Sequence, residues 1–294
     1  MDRKKNLYVV GLGEALWDVL PSGKKLGGAP ANFAYHATQL GYKAIAVSAV
    51  GHDQLGNEML AAFDAKGVKY MMPRVPYATG IVQVMLDAQG IPAYDIKENV
   101  AWDNIPYTEE IEDLAKNCCA VCWGTLAQRS IVSRTTIHRF LDAMREIPKS
   151  LKIFDINLRQ HFYSKEIIEE SLKCCNILKI NDEELVILAN VFNYLEFDAK
   201  DTCLRILKDY SLDVLVLTCG AHGSYVFTPD IVSFLDTPQV EVIDTVGAGD
   251  SFTGAFCVGL LRGMKIEDAH KMAVEVSAYV CTQKGAMPEL PDLI

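Results

Sequence analysis

The 294-residue sequence contains no apolar run as long as a membrane span and no cluster of basic residues longer than a few positions. Asp and Glu number 38 against 28 Lys and Arg, which gives a formal net charge of −10 at pH 7. Duplex DNA or RNA is therefore an unfavourable principal partner, although backbone dipoles still allow a small anion to bind. The N-terminus lacks the apolar segment and cleavage site of a signal peptide, so we expect a cytoplasmic protein with no membrane partner.

Several well-known catalytic motifs are also missing. The sequence has no G-x-x-x-x-G-K-[ST], no H-E-x-x-H and no G-x-S-x-G, so P-loop, zincin and hydrolase-elbow interpretations have no support. Gly11 and Gly13 form half of a dinucleotide fingerprint, but Leu16 stands where the third glycine belongs. A nicotinamide oxidoreductase is therefore the least favoured alternative.

The nine cysteines are an odd number and mostly lie in apolar stretches. Cys119 and Cys122 form one C-x-x-C, but no second pair and no histidine pair follow at zinc-finger spacing. We interpret them as buried, reduced core thiols, which suits a cytoplasmic protein.

Hydrophobic residues make up 50% of the chain and charged residues 22%, which is enough material for a large core. Apolar runs alternate with amphipathic helical stretches, the runs being 7–13, 44–50, 120–123, 152–154, 177–180 and 214–217. This alternation predicts an α/β fold, a mostly parallel sheet with helices on both faces, in one domain over residues 1–294. Two segments, about 14–28 and 78–100, depart from the rhythm. With a hairpin turn at 87–90, they predict a small separate β lid.

The stretch 240–254 carries the strongest functional signal. Val240–Ile243 predicts a strand, Gly247-Ala248-Gly249 predicts a turn, and a helix is predicted to open at Asp250. A bare helix start offers unpaired N–H groups and a positive dipole end to an anion. A carboxylate beside it suits a base that deprotonates a hydroxyl while the N–H groups hold a phosphoryl group. Alternatively, Asp250 stabilises only the first helical turn and the glycines serve a tight turn.

Residues 244–252, D-T-V-G-A-G-D-S-F, resemble the C-terminal signature of the ribokinase-like (PfkB) sugar kinases. Gly13–Asp18 followed by Gly27–Asn32 resembles the fructokinase branch of that family, and the likeness covers nearly the whole chain. It implies a ribokinase-like three-layer sandwich with a β lid, and a kinase that uses ATP and Mg²⁺ to convert D-fructose to D-fructose 6-phosphate. Asp250 would be the base, and Gly247, Ala248 and Gly249 the anion hole.

The resemblance also assigns the sugar site, to Asp18, Gly27, Gly28, Asn32 and Arg159. Asp18 and Asn32 have the donors and acceptors that sugar hydroxyls need, although the glycine string alone fits a turn and helix cap equally well. Arg159 ends D-I-N-L-R, which resembles the family's D-P-N-x-R. Its guanidinium suits a sugar or a phosphate oxygen. A surface or salt-bridged arginine without a role in binding explains the residue equally well.

For the nucleotide, Thr218, Gly220 and Gly223 match the family's T-x-G-x-x-G, which lines the ATP site. Asn181 and Glu184 match N-x-x-E, with Glu184 expected to act on Mg²⁺ through water. Without the resemblance, Asn181 would be interpreted as a helix cap followed by acids in the first turn.

A monovalent cation such as K⁺ is a further candidate cofactor. The resemblance would place it between the Asp244 side chain and main-chain carbonyls, those of Val246, Val280, Gln283 and Gly285. Glu289 stands where ribokinase has an additional serine ligand, so the dependence on this cation stays open. A homodimer formed through the lid is a candidate assembly.

Two rival functions remain. Arg159 suits a carboxylate substrate, which leaves open a 2-keto-3-deoxygluconate kinase or another PfkB sugar kinase, whereas Gly27–Asn32 and 126–129 favour fructose. From a different class, the chain is compatible with a catalytically silent sugar- or nucleotide-binding regulator. The intact Asp250 argues against the regulator, because a silent copy has no need of the base.

Overall fold

The structure is a computed structural model that describes residues 7–20, 23–86, 92–144, 147–194 and 198–291. The predicted hairpin turn at 87–90 lies outside these ranges. Within them, no helix is both long enough and apolar enough to cross a bilayer.

A nine-stranded sheet forms the centre of the fold, in the order β15-β14-β13-β12-β11-β10-β1-β4-β6, with elements numbered in chain order. Its parallel part comprises β1 (Tyr8–Leu12), β4 (Ala44–Val47), β6 (Lys69–Met71), β10 (Cys118–Trp123), β11 (Leu151–Asp155), β12 (Ile177–Asn181) and β13 (Val214–Thr218). Two antiparallel strands, β14 (Ser224–Phe227) and β15 (Val232–Leu235), extend one edge.

The interior strands form because their residues are apolar on both faces. Every residue of β10 is buried, including the thiols of Cys119 and Cys122, and all nine cysteines, which lie in the described part of the chain, are free. The interpretation of C-x-x-C as core is therefore confirmed. Strands buried on both faces are what a parallel sheet covered by helices requires.

Nine helices cover the two faces of this sheet in the described residues: α1 (Ala29–Gln39), α2 (Gln54–Ala65), α3 (Glu109–Lys116), α4 (Ile131–Ala143), α5 (Lys165–Cys174), α6 (Asp182–Phe192), α7 (Ala199–Asp209), α8 (Ala248–Leu261) and α9 (Ile266–Cys281). Side chains of α1, α2, α8 and α9 share one hydrophobic core with the sheet, and those of α3 to α7 share the other. Neighbouring strand residues alternate between the two cores, as Ala120 and Val121 do. The predicted three-layer α/β architecture is confirmed.

The two segments predicted to depart from the rhythm meet in a second sheet of order β3-β2-β8-β9. Its strands are β2 (Leu16–Leu20), β3 (Gly23–Gly27), β8 (Ile81–Leu86) and β9 (Pro92–Ile96). β2 pairs with β3 antiparallel and with β8 parallel, which joins the two segments side by side. A further small pair consists of β5 (Val50–Gly51) and β7 (Arg74–Val75), so the strand predicted over 44–50 is split in two.

The strand predicted at Val240–Ile243 is wrong. These residues are not in a strand, and Val242 and Ile243 are 59% and 55% exposed. The N–H groups of Ile243 and Asp244 donate instead to the carbonyl of Cys281, at the end of α9. An apolar run here lines an open cleft, and hydropathy alone does not separate that from a buried strand.

The helix predicted to open at Asp250 begins two residues earlier, at Ala248. Gly247 adopts the left-handed φ of +80° and serves as the N-cap residue. Because glycine pays no steric penalty at this φ, the chain can turn directly into the helix. Asp250 consequently lies inside the first turn of α8.

Candidate active site

A cleft of about 1630 Å³ lies along the carboxyl edge of the central sheet. The segments after β11, β12 and β13 line it together with the starts of α1 and α8, and the second sheet supplies one wall. Ligands of open α/β sheets bind at this edge. Asp244 and Val246 of the predicted cation site line this cleft. All the other predicted site residues outside the cation site line it as well: Asp18, Gly27, Gly28, Asn32, Arg159, Asn181, Glu184, Thr218, Gly220, Gly223, Gly247, Ala248, Gly249 and Asp250.

Asp250 lies in the first turn of α8 and lines the cleft. Asn32 Nδ2 donates a hydrogen bond of 2.7 Å to Asp250 Oδ2. Dense protein around the carboxyl removes water and raises the pKa of Asp250 to about 6, helped by the nearby Asp155 carboxylate and opposed by Asn32 and Lys179. The side chain remains partly accessible from the cleft. A carboxyl in this state is ionised at neutral pH and basic enough to accept a proton.

The turn before Asp250 is shaped for close approach of a ligand to the backbone. No side chain caps the start of α8. A Cβ atom on Gly247 would lie 2.7 Å from Ala286 Cα, so a larger residue would displace the neighbouring loop. No side-chain acceptor therefore competes with an anion for the N–H groups of this turn, although the N–H of Ala248 donates to the carbonyl of Thr245 at 3.3 Å.

Lys179 is a site residue that the sequence interpretation missed. It pairs in register with Asp155 on the neighbouring strand, and Lys179 Nζ lies 3.0 Å from Asp155 Oδ1. Asp155 Oδ2 accepts a hydrogen bond of 2.9 Å from Thr253 Oγ1, in α8. The ammonium lies beside the turn formed by Gly247, Ala248 and Gly249, called the anion turn below. A Cβ atom built on Gly249 would be 3.0 Å from Lys179 Nζ. The feature of the sequence that could have indicated this residue is a lysine within the otherwise apolar run 177–180.

Burial works against the Lys179 charge, but the carboxylates of Asp155, Glu184 and Asp250 hold the pKa of its ammonium above the ordinary value. The side chain is only 10% exposed, yet it lines the cleft. Lys179 therefore places a fixed positive charge beside the uncapped helix start.

Glu14 is a second residue that was missed. It lies two residues after the end of β1, is 2% exposed and lines the cleft, and its Oε2 has no hydrogen-bond partner. Burial raises the pKa of Glu14 to about 7, against hydrogen bonds from its own N–H and that of Ala29. An acid directly after the first strand was the only sequence signal.

Asp18 and Arg159, two of the residues predicted for the sugar site, also line the cleft. Burial raises the pKa of Asp18 to about 6, with Arg159 and Lys25 acting in the opposite direction. Arg159 is exposed, and its Nη1 donates to the carbonyl of Leu158 at 3.1 Å. Its guanidinium is therefore exposed where Arg159 lines the cleft, yet close enough to the buried carboxyl groups of Glu14, Asp18 and Asp250 to lower their pKa values.

Asn181 and Glu184, predicted for the nucleotide site, form a reciprocal helix cap at the start of α6. Glu184 N–H donates to Asn181 Oδ1 at 2.8 Å, and Asn181 N–H donates to Glu184 Oε2 at 2.9 Å. Glu184 Oε1 accepts from the N–H of Leu158 at 2.9 Å. Asn181 and Glu184 therefore cap α6 and line the cleft at the same time. Each carboxylate oxygen of Glu184 keeps a further lone pair that can accept from water.

The loop after β13 is built from glycines that its geometry demands. Gly220 and Gly223 have φ values of +53° and +98°, and a Cβ on Gly223 would lie 2.5 Å from the carbonyl oxygen of Leu235. Thr218 ends the strand with its side chain 3.4 Å from the carbonyl of Ile180. The backbone of this loop is open to the cleft, as binding of a phosphate chain requires.

The two segments of the predicted cation site come together, but only Asp244 and Val246 line the cleft, whereas Val280, Gln283 and Gly285 do not. The Asp244 carboxylate accepts from the N–H groups of Val246 and Gly285 at 3.1 and 3.0 Å. Lys25 Nζ lies 3.1 Å from Asp244 Oδ2. A lysine ammonium from β3 therefore already faces the carboxylate assigned to the cation.

The fold and cleft define an α/β protein with a buried carboxyl group beside an uncapped helix start at one edge of its sheet. The model of the pfkB family carbohydrate kinases matches residues 19–293. The chain belongs to this family, and it is a carbohydrate kinase; the predicted family and enzyme class are confirmed.

Several known proteins are similar to it over most of their length. An ATP-dependent 6-phosphofructokinase of Thermoanaerobacterium thermosaccharolyticum is 26% identical, covering 98% of this chain and 92% of its own. Probable fructokinase-5 of Arabidopsis thaliana is 29% identical, covering 96% and 94%. The structure of fructokinase from Vibrio cholerae with fructose, ADP and calcium is 26% identical with a TM-score of 0.82, covering 99% and 97%. The ribokinase-like fold is confirmed.

Proposed function

We propose that this kinase phosphorylates D-fructose to D-fructose 6-phosphate at the expense of ATP. The observation that carries the proposal is the Asp250 carboxyl, which lies in the cleft beside the uncapped start of α8 and is oriented by Asn32. The fructokinases among the similar proteins favour fructose as the acceptor.

The sugar would lie against Asp18, Asn32 and the backbone of Gly27 and Gly28, with one primary hydroxyl facing Asp250. Asp250 accepts the proton of that hydroxyl as its oxygen attacks the γ-phosphorus and the bond to the bridging oxygen of ADP breaks. The N–H groups at Gly247, Ala248 and Gly249, together with the Lys179 ammonium, stabilise the negative charge on the migrating phosphoryl group. Positioning and electrostatics supply most of the catalysis.

ATP would lie over Thr218, Gly220 and Gly223. In the described part of the chain, no group of three or more His, Cys, Asp or Glu side chains is arranged to bind a metal directly. The acids at the start of α6 nevertheless line the cleft, and carboxylates acting through water suit Mg²⁺, which retains several waters. Asn181 and Glu184 would hold the hydrated ion, and the ion supplies neutralisation of phosphate charge.

K⁺ is a further proposed ligand of the oxygen atoms around Asp244, with carbonyls from the 280–285 segment. The Lys25 ammonium competes for the same carboxylate oxygen. We therefore expect a weak dependence on K⁺. The second sheet would act as a lid that excludes water, which otherwise competes as acceptor, and its outer face is a proposed homodimer contact.

The test is a coupled ADP-release assay with fructose, ribose, 2-keto-3-deoxygluconate, fructose 6-phosphate and adenosine, each with and without K⁺. Fructose is expected to give the highest kcat/KM. Turnover of another acceptor while fructose is inert would move the assignment to that sugar. If no acceptor leads to ADP release while sugar or nucleotide binding is intact, the result would favour a catalytically silent binding regulator.

A further inference from the structure

The part of the cleft proposed to bind the sugar, called the sugar half below, carries an excess of acidic groups. Glu14, Asp18 and Asp250 all line it. The lysines nearby already face other carboxylates, Lys25 facing Asp244 and Lys179 facing Asp155. Arg159 is the remaining cation near these acids, because its positive charge lowers the pKa of all three carboxyl groups. Its side chain is exposed at the edge of the cleft.

Glu14 is the least explained member of this set. The proposed mechanism does not use it, its side chain is almost wholly buried, and its Oε2 has no donor within hydrogen-bond distance. Asn32 Oδ1 is also buried without a partner, while Nδ2 of the same side chain is bonded to Asp250. Buried acceptors without donors are costly unless a ligand satisfies them.

A polyhydroxy acceptor supplies what these oxygens lack, because each hydroxyl is a donor. A carboxylate or phosphate on the acceptor supplies only further acceptors. It would also bring negative charge close to the carboxyl groups of Glu14, Asp18 and Asp250, whose burial weakens the screening of like charges. Chemistry and charge therefore point in the same direction.

We propose that Glu14 is a specificity-determining residue that accepts a hydrogen bond from an acceptor hydroxyl and restricts the sugar half to uncharged sugars. Sugar acids and sugar phosphates are thereby excluded. This inference rests on the proposed sugar kinase function and deepens it by naming the substrate class.

The test compares wild type, Glu14→Gln and a matched control, Asp236→Asn, which removes an exposed carboxylate from the nucleotide half of the same cleft. For each protein, kcat and KM are measured at about pH 8, above the pKa of about 7 to which burial raises Glu14, so that its carboxyl is mostly ionised, with fructose, 2-keto-3-deoxygluconate and fructose 6-phosphate. Glu14→Gln keeps the size of the side chain and removes its charge. The ratio of kcat/KM for fructose to that for the anionic acceptors is expected to fall at least about tenfold, mainly through a lower KM for the anions. Asp236→Asn is expected to leave that ratio unchanged.

A merely structural Glu14 predicts a different result. Thermal stability and kcat with fructose would fall, and the acceptor ratio would stay as in wild type, which would overturn the proposal. If Glu14→Gln does not fold, Glu14→Asp tests the same point, because it retains charge and should retain the exclusion of anions. A wild-type preference for either anionic acceptor would also overturn it.

Binding without nucleotide separates this inference from the kinase assignment. Calorimetry with the wild-type protein is expected to show uptake of fructose and no uptake of 2-keto-3-deoxygluconate. If no acceptor is phosphorylated but this binding preference holds, the proposed function fails and the charge selectivity stands. If turnover of fructose is observed but the sugar acid binds equally well, the charge selectivity fails alone.

Discussion

Lys179 Nζ and Asp155 Oδ1 lie 3.0 Å apart on neighbouring central strands, directly behind the first turn of α8. The pair is nearly buried, at 10% and 6% side-chain exposure, and its acid is fixed to α8 by Thr253. The ammonium is thus held beside Gly249 by the sheet and α8 together. This arrangement suits a positive charge that must be in place before a phosphoryl group arrives.

Replacement of Lys179 by Met should lower kcat about a hundredfold, because the transition-state charge loses a preorganised partner. Affinity for a non-transferable ATP analogue should fall further than affinity for ADP, which lacks the γ-phosphate. Loss of the lysine leaves a buried carboxylate, so Lys179→Met/Asp155→Asn serves as the second variant. Lys152→Met, in the neighbouring strand and outside the cleft, is the control. Equal loss of affinity for both nucleotides would contradict the assignment.

Asp250→Asn should reduce turnover at least about a hundredfold while sugar binding measured by calorimetry stays within a few-fold of wild type. The amide preserves the size of the side chain but cannot accept the hydroxyl proton. Asp230→Asn, at an exposed carboxylate outside the cleft, serves as the charge-matched control, with near-normal kcat expected. Near-normal turnover in Asp250→Asn would remove the base assignment.

The acid side of the pH profile tests the same carboxyl. Because the pKa of Asp250 is raised to about 6 and the base must be unprotonated, kcat/KM should fall as the pH drops below about 6. The Asn32 N–H stabilises the charged form, so Asn32→Ala should raise that pKa and move the fall to higher pH, by about one unit. Glu14 and Asp18 have pKa values of about 7 and 6, which should broaden the transition. An unchanged midpoint in Asn32→Ala would separate Asn32 from the base.

Hydropathy was sufficient for most of the fold, since interior strands such as β10 and β13 are apolar on both faces and admit few other interpretations. It misassigned Val240–Ile243 for a physical reason. Apolar residues that line a ligand cleft look like those of a core strand, and only tertiary structure shows which surface they face. The location of the helix start at Ala248 depended similarly on the left-handed φ of Gly247.

The site was foreseeable where a local motif carries the chemistry, as at Gly247–Asp250. Glu14 and Lys179 were not, because their importance depends on neighbours distant in the sequence. Lys179 is defined by Asp155 across two strands, and Glu14 by burial near Asp250. The Asn181–Glu184 motif shows the limit of either interpretation alone, because one geometry serves both as helix cap and as cleft wall.

His36 connects the anion turn to stability. His36 Nε2 donates to the carbonyl of Ala286 at 2.9 Å, and Ala286 packs against Gly247. Burial lowers the pKa of His36 to about 4. A histidine whose pKa is lower in the folded than in the unfolded state stabilises the fold above the unfolded value, and this contribution is lost as the pH falls toward the folded value.

Between pH 7.5 and pH 5, this linkage should reduce the free energy of unfolding of the wild type by about 2 kcal/mol through His36. His36→Gln retains an N–H donor and does not titrate, so its free energy of unfolding should lack that loss. Glu14, Asp18 and Asp250 titrate nearby with the opposite sign in both proteins, and the difference between the two denaturant series isolates His36. His222→Gln, at an exposed histidine, should follow the wild type. Parallel curves for wild type and His36→Gln would show that His36 is not held neutral by the fold.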